Sequence, residues 1–315
     1  MPLDAEARAL IDVLQSSSPP VETLTPEQAR RASDERRARS AVPVEEIHNV
    51  TDLTAATVVG QLAVRIYRPS PADRSPVIVF FHGGGWVLCD LDSHDGLCRS
   101  LANSTGSVIV SVDYRRAPES RYPAAVEDCY AATAWVAENA EELRIDPARL
   151  ALVGDSSGGN LAAAVALMAR DRATPAIALQ VLLYPVVDDD FETASYRAFG
   201  DDYYLTRAAM EWYWDQYVPP ADRQQPYAAP LRNADLAGVA PALVLVAECD
   251  PLHDEGLAYA ARLTEAGVPT AVMDYAGGFH GFLSLAPVLP AGRAALAAVG
   301  ASVRSRLDSL PAGYR

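Results

Sequence analysis

The sequence predicts an α/β protein whose mostly parallel sheet is covered by helices on both faces. Strand-like and helix-like segments alternate after Pro76, which is typical of strand–helix–strand units in a parallel sheet. The strand-like segments are short apolar runs, as expected for strands buried on both faces. Half of the 315 residues are hydrophobic, which is enough for one large α/β core with insertions.

The individual elements follow from apolar runs and helical periodicity along the chain. Strands are predicted near 48–50, 56–67, 76–81, 107–112, 150–153, 179–184, 242–247 and 269–275. Helices are predicted at 5–14, 26–41, 124–138, 158–169, 256–266 and 291–310. The first helix has an apolar stripe, and the second is rich in arginine and acidic residues after a Thr25-Pro26 start.

The predicted organisation separates a catalytic core from two covering pieces. Residues 1–45 form N-terminal cap helices, 46–187 the first part of the core, 188–222 a cap insertion and 223–315 the second part of the core. The insertion contains aromatic residues far more often than the chain's 8% average. Most of them are expected to form the core of the cap, and a few to line an apolar pocket.

A glycine-pinched serine lies between a predicted strand and a predicted helix. Residues 154–158 read Gly-Asp-Ser-Ser-Gly, and this strand–turn–helix context is typical of a nucleophile elbow. Glycines are needed because the turn is too sharp for side chains beside the serine. Ser156 is therefore the candidate nucleophile, at a helix N-terminus whose partial positive charge favours a nearby anion.

A serine hydroxyl needs a base, and the chain restricts the choice to histidine. All 26 basic residues are arginines, which excludes lysine-based catalysis and a Walker A phosphate loop. In this type of sheet the order along the chain is serine, acid, histidine. His280 fits best, because it follows the last predicted strand in a glycine-rich loop. His253 is the alternative, although its position at a helix start favours a surface role.

The acid is expected before that histidine, at the end of another strand. Asp250 follows the predicted strand 242–247, and Pro251 fixes the turn after it. Its carboxylate would accept the second ring N–H of His280 and stabilise the imidazolium. Asp254 and Glu255 are the alternatives, but they resemble first-turn acids that complement a helix dipole.

Three successive glycines after the strand 76–81 supply a candidate oxyanion hole. The run Gly83-Gly84-Gly85 places amides without side chains where a substrate oxygen can approach closely. The backbone amide of Ser157 would provide the remaining donor.

Together these motifs resemble the hormone-sensitive-lipase-like branch of the α/β-hydrolases, which includes many bacterial carboxylesterases. The matching stretches are 82–86 (HGGGW), 113–119 (DYRRAPE), 122–125 (YPAA), 154–160 (GDSSGGN), 250–256 (DPLHDEG) and 279–282 (FHGF).

The resemblance implies an α/β-hydrolase fold with an eight-stranded, mostly parallel sheet and a helical cap. It also implies a triad of Ser156, Asp250 and His280, with oxyanion amides from Gly84, Gly85 and Ser157. Gly83 is included as a neighbour, because the sequence does not reveal which two loop amides point inward. Ser157 departs from the alanine usual in relatives, and its hydroxyl is expected to contact an acyl chain.

Charge and cysteine usage exclude several function classes. With 41 acidic and 26 basic residues, the net charge of −15 should repel nucleic acid and anionic membranes. The first residues carry acids where a secretory signal carries positive charge, and no apolar run approaches the ~20 residues of a membrane span. Four cysteines lack paired metal spacing and are expected to be reduced and at least partly buried. These features predict a cytoplasmic protein without stable membrane association.

The predicted function is hydrolysis of short- to medium-chain acyl esters through an acyl-enzyme, with no metal or organic cofactor. One alternative is a ligand-binding protein on the same fold, as in the gibberellin receptors, which lack a working base. This chain has His280 as a candidate base, which favours catalysis. Another is a hydrolase of amides, acetylated hydroxyls or lactones. The oligomeric state stays open, and a homodimer is compatible with the sequence.

Overall fold

The computed structural model describes residues 3–39 and 43–310, which form eight strands and nine α-helices. The strands are β1 (Asn49–Thr57), β2 (Gly60–Arg68), β3 (Ser75–Phe81), β4 (Val108–Val112), β5 (Ile145–Asp155), β6 (Leu179–Leu183), β7 (Ala242–Cys249) and β8 (Thr270–Phe279). The helices are α1 (Ala5–Ser16), α2 (Pro26–Arg39), α3 (Asp95–Thr105), α4 (Ala124–Glu138), α5 (Ser157–Asp171), α6 (Ala194–Phe199), α7 (Arg207–Tyr217), α8 (His253–Glu265) and α9 (Pro290–Asp308).

All eight strands belong to one sheet in the order β1-β2-β4-β3-β5-β6-β7-β8. β2 runs antiparallel to both of its neighbours, and every other pairing is parallel. The predicted mostly parallel sheet is therefore confirmed. Because β3, β5, β7 and β8 are parallel, the loops that leave their carboxyl ends emerge at one edge of the sheet.

Two apolar layers hold the helices on opposite faces of the sheet. Successive residues of β3 point to alternate faces, so Val79 belongs to an apolar layer that contains residues of α4, α5 and α8, whereas Phe80 belongs to the layer that contains residues of α3 and α9. Both side chains are fully buried. Burying a side chain of this size stabilises the fold by about 1.5–3 kcal/mol, and other buried apolar side chains of the central strands contribute similarly.

The predicted strand at 56–67 is wrong, because this stretch contains the end of β1, a tight turn and β2. The turn falls at Val58 and Val59, two β-branched residues whose type favours a strand. Val58 is 94% exposed, and Gly60 adopts a φ of 118° that completes the reversal. Helix α3 was not predicted, although Gly106 ends it in the left-handed conformation typical of a helix C-terminus.

The N-terminal segment and the insertion between β6 and β7 contact each other. Helix α7 of the insertion packs against the short 3₁₀ turn Val21–Thr23 that precedes α2. The guanidinium of Arg8, on α1, lies 5.8 Å from the centre of the Tyr203 ring. The helical starts predicted at residues 5 and 26 are confirmed, and residues 40 and 41 of the predicted second helix lie outside the described residues.

The cysteines are unpaired, as expected. Cys98, Cys129 and Cys249 are buried, and Cys89 is partly buried. Across residues 3–39 and 43–310, no helix is sufficiently long and apolar to cross a bilayer.

Candidate active site

The predicted elbow joins β5 to α5, with Ser156 at its tip. Ser156 has φ 58° and ψ −120°, a strained conformation for a residue with a side chain. Its backbone is fixed by the Ser156 N–H bond to the Leu183 carbonyl at 2.8 Å. A Cβ on Gly154 would lie 2.0 Å from the Gly158 carbonyl oxygen, and one on Gly158 would lie 1.9 Å from that of Phe81. The glycines therefore allow three backbone segments to pack together at the turn.

Three side chains that are remote in sequence meet above this turn. His280 Nε2 is 2.9 Å from Ser156 Oγ, and His280 Nδ1 is 2.7 Å from Asp250 Oδ2. A carboxylate only accepts hydrogen bonds, so His280 carries its proton on Nδ1 and leaves Nε2 as the acceptor for the Ser156 hydroxyl. Asp250 is fully buried, and its other oxygen accepts the Leu252 N–H at 2.9 Å.

The alternative acids and base lie elsewhere. Asp254 and Glu255 occupy the first turn of α8, as predicted. Asp254 accepts the Ser195 N–H at 2.8 Å, and the buried Glu255 accepts the Val187 N–H at 2.7 Å. His253 lies between Asp254 and Asp274, at 3.2 and 3.3 Å. These groups therefore hold the start of α8 and its neighbours, and the serine has one imidazole partner.

The backbone amides of the glycine loop differ in whether they already have a hydrogen-bond acceptor within the protein. The Gly83 N–H donates to Asp155 Oδ1 at 2.9 Å, so this amide is already used within the protein. For the Gly84 and Gly85 N–H groups, no acceptor occurs among the described residues. Gly84 has a φ of 111° and Gly85 a φ of 60°, which glycine adopts at little cost. Two free donors thus remain in the loop, beside the Ser157 amide in the unpaired first turn of α5.

The expected contact of the Ser157 hydroxyl with an acyl chain is wrong. Ser157 is fully buried, and its Oγ accepts the Trp86 N–H at 3.2 Å. Trp86 in turn stacks on Tyr217 of α7, with ring centres 4.2 Å apart. The hydroxyl therefore holds the end of the glycine loop against the start of α5.

A polar network behind the loop was missed from the sequence. His94 Nε2 lies 3.3 Å from Asp155 Oδ2, and the Tyr114 hydroxyl donates to the His82 carbonyl at 2.8 Å. The His82 Nδ1–H donates to the Gly83 carbonyl at 2.8 Å. Burial and the neighbouring His94 lower the pKa of His82 to about 3, so its ring is neutral. The sequence did contain an indication of the role of Asp155, because it is a charged residue between the two glycines of this buried turn.

The arrangement can perform acyl transfer. It contains a hydroxyl with a hydrogen-bonded base, an acid that orients this base, and amide donors in reach of the same turn. No cluster of three or more potential metal ligands occurs in the part of the chain that the structure describes.

Comparisons with known proteins agree with this chemistry. A family profile described as "alpha/beta hydrolase fold" matches residues 78–284. An ethyl acetate hydrolase of Pseudomonas putida is 41% identical over 276 residues, which cover 86% of this chain and 87% of that protein. The carboxylic ester hydrolase LipN of Mycobacterium tuberculosis is 46% identical over 258 residues, covering 78% and 67%. The solved structure of a thermostable esterase from Pseudomonas putida has a TM-score of 0.93 at 42% identity, over 98% of both chains.

Proposed function

Because the chain belongs to the hormone-sensitive-lipase-like branch of the α/β-hydrolase family and is a carboxylesterase, we propose that it cleaves short- to medium-chain acyl esters through Ser156, His280 and Asp250. The observation that carries the proposal is the hydrogen-bonded series from Asp250 through His280 to Ser156, at 2.7 and 2.9 Å. The free amides of Gly84 and Gly85 lie on the loop that packs against this turn.

In the proposed mechanism, Ser156 Oγ attacks the ester carbonyl carbon while His280 Nε2 takes the hydroxyl proton. The carbonyl oxygen becomes an oxyanion, which accepts hydrogen bonds from the amides of Gly84, Gly85 and Ser157. Each such donor is worth about 3–4 kcal/mol of barrier height. His280 then returns the proton to the leaving alcohol. A water molecule, activated by the same imidazole, hydrolyses the acyl-enzyme and frees the serine.

The preference for short acyl chains is supported by the bulk of the side chains near the loop. A Cβ on Gly85 would lie 2.1 Å from the Tyr213 ring, so this ring lies directly against the loop. Tyr204 approaches Gly281, the residue after His280, with 3.8 Å between its ring and a Cβ position. The name of the relative, ethyl acetate hydrolase, refers to a two-carbon acyl group and favours the same preference.

The nucleophile assignment is tested with Ser156→Ala. We expect kcat for 4-nitrophenyl butyrate to fall by up to about 10⁶-fold, as when other serine hydrolases lose the serine. The melting temperature should change little. His280→Ala should lose activity similarly, whereas the matched variant His253→Ala should keep it. Activity of Ser156→Ala near the wild-type level would refute the assignment.

An acyl series from C2 to C16 tests the substrate range with the same assay. We expect kcat/KM to be highest for short chains and to fall towards the longest ones. A steep rise with long, insoluble chains would identify a lipase instead.

We also propose that the enzyme acts in the cytoplasm. Four unpaired cysteines, three of them buried, are typical of a protein kept in a reducing compartment. Subcellular fractionation of the native host with an antibody would test this, and recovery outside the cytoplasm would contradict it.

A further inference from the structure

Glu255 is a buried acid that the proposed mechanism does not use. It lies in the first turn of α8, shortly after Asp250, and it is 3% exposed. Its Oε1 accepts the Val187 N–H at 2.7 Å and lies 3.4 Å from the Asp188 nitrogen. Among the described residues, its Oε2 has no hydrogen-bond partner. The side chain of Glu255 is therefore bound to the segment of chain that leaves β6.

The same segment binds both backbone polar groups of Ser156. The Ser156 N–H donates to the Leu183 carbonyl at 2.8 Å, and the Val186 N–H donates to the Ser156 carbonyl at 3.2 Å. That carbonyl also accepts the Asn160 N–H of α5, at 3.1 Å. Ser156 has φ 58° and ψ −120°, and such a conformation persists only where the surrounding structure fixes it. Residues 183–186 are therefore part of what fixes the Ser156 backbone.

Glu255 in turn fixes this segment. Val187 directly follows Val186, and both residues are buried, so water does not replace the Glu255 oxygen as the acceptor of the Val187 N–H. The Val187 carbonyl is bound separately, because it accepts the Leu231 N–H at 2.9 Å. Loss of the Glu255 oxygen would leave a buried N–H without an acceptor. We therefore expect Val187 to shift in search of a partner, and Val186 to shift with it.

The surroundings of Glu255 keep it in its neutral form. Burial raises the pKa of its carboxyl well above the usual value, and the nearby Asp188 and Asp250 act in the same direction. A neutral carboxyl adds no negative charge beside Asp250, and its oxygen accepts an N–H as an amide oxygen does. The contact with Val187 therefore depends on the reach of the side chain and not on its charge.

We propose that Glu255 is a positioning residue for the nucleophile: through the segment that leaves β6, it keeps Ser156 in the strained conformation that brings Oγ to His280 Nε2. The proposal rests on the proposed function, because it requires Ser156 to be the nucleophile. It extends that function by giving the stretch from the end of β7 to the start of α8 two roles. Asp250 orients His280, and Glu255 orients Ser156.

The test separates the reach of the side chain from its acidity. Glu255→Asp keeps the acid but is one methylene shorter, so its oxygens withdraw from the Val187 N–H. Glu255→Gln keeps the length and offers a carbonyl oxygen to the same N–H. For Glu255→Asp we expect kcat/KM for 4-nitrophenyl butyrate to fall by about tenfold or more, since misplacement of a reacting group can cost up to about 100-fold. Glu255→Gln should stay close to the wild-type value.

Inactivation by diethyl 4-nitrophenyl phosphate provides a second readout. Here Ser156 attacks phosphorus and 4-nitrophenol leaves, so the rate constant reports the attack of the serine without hydrolysis of an acyl-enzyme. This rate constant should fall in Glu255→Asp by a factor similar to that for kcat/KM, and Glu255→Gln should again resemble the wild type.

Asp146→Ala is the matched control for a loss of stability. Asp146 is fully buried near the opposite end of β5 from Ser156, and it accepts the Ala148 N–H at 3.2 Å. Its removal should lower the melting temperature but leave kcat/KM within about twofold of the wild type. Every variant is assayed below its own melting temperature, so that the rates describe folded protein.

Wild-type rates in Glu255→Asp, even at a lowered melting temperature, would overturn the proposal. Equal losses in Glu255→Asp and Glu255→Gln would also overturn it, as would an equal loss in Asp146→Ala. These outcomes reject only the positioning role as long as Ser156→Ala is inactive. If Ser156→Ala retains turnover, the proposed function fails first.

Discussion

Asp155 connects the turn of Ser156 to the glycine loop 83–85. It is the last residue of β5, and its buried carboxylate accepts the Gly83 N–H while facing His94. Burial works to raise the pKa of this carboxyl, but His94 and the Gly83 amide outweigh it and hold the pKa below its usual value. The ionised Asp155 therefore fixes the Gly83 amide at the start of the glycine loop. The amides of Gly84 and Gly85 take no part in this interaction.

His82 should make the fold sensitive to acid. Its pKa is about 3 in the folded protein, against about 6.5 in an unfolded chain. Between these values the unfolded chain binds a proton that the folded protein does not. Below about pH 6.5, the free energy of unfolding therefore decreases as pH falls towards 3, by up to about 1.4 kcal/mol per pH unit. Above about pH 6.5 the ring is neutral in both states, and this loss is absent.

The measurement is urea unfolding of the wild type and His82→Asn at several pH values between 4 and 7. Asparagine can still donate to the Gly83 carbonyl but does not titrate. The wild type should therefore lose stability more steeply on acidification than the variant. Burial raises the pKa of Glu255, which acts in the opposite direction, but this contribution is common to both proteins and cancels in the difference. Parallel stability curves would show that His82 is not the titrating group.

At the scale of elements, the site depends on how closely the insertion packs on the glycine loop. Helix α7 places Tyr213 against Gly85 and Tyr217 on the Trp86 ring. Trp214 of the same helix also meets Trp86, with ring centres 5.0 Å apart. The loop after β3 is therefore held by α7 on one side and by Asp155 and Ser157 on the other.

Gly85→Ala should disrupt this packing. The added Cβ would lie 2.1 Å from the Tyr213 ring, and the positive φ of 60° would strain any other residue. We expect kcat/KM for a short ester to fall by about 100-fold, comparable to loss of one oxyanion donor. Tyr213→Ala in the same chain should restore part of the activity, because it removes the clash and leaves the backbone strain. A double variant no better than the single one would show that the ring contact is not the cause.

Sequence reasoning was most accurate where the information is local. The elbow, the glycine run and the order of strands and helices depend on neighbouring residues, and helix α4 has the predicted bounds. The reversal at Val58 was missed because two β-branched residues occupy a turn. The role of Ser157 was missed for a different reason: its partner Trp86 is 71 residues away, and periodicity carries no information about such a contact.

For the whole molecule, the N-terminal segment is joined to the core by Arg30 on α2. Its guanidinium donates to the Val87 carbonyl at 2.8 Å and to the Ala117 carbonyl at 2.7 Å, and it pairs with Glu119. Val87 directly follows the glycine loop and Trp86. One arginine thus ties α2 to the stretch that contains the candidate oxyanion hole, so α2 and the site should loosen together.

Arg30→Met should weaken the attachment of α2 to the core while leaving the sheet intact. The lost bonds to two carbonyls are worth on the order of 1 kcal/mol each in this partly exposed setting, so local opening of α2 should become about tenfold more frequent or more. Limited proteolysis with trypsin reports such opening, because α2 contains several arginines.

The matched variant is Arg31→Met, which also removes one cleavage site but breaks only an exposed pair with Glu27 on the same helix. Faster cleavage within α2 for Arg30→Met, accompanied by a lower kcat for short esters, is the expected result. Equal cleavage rates in the two variants would mean that other contacts hold the N-terminal segment in place.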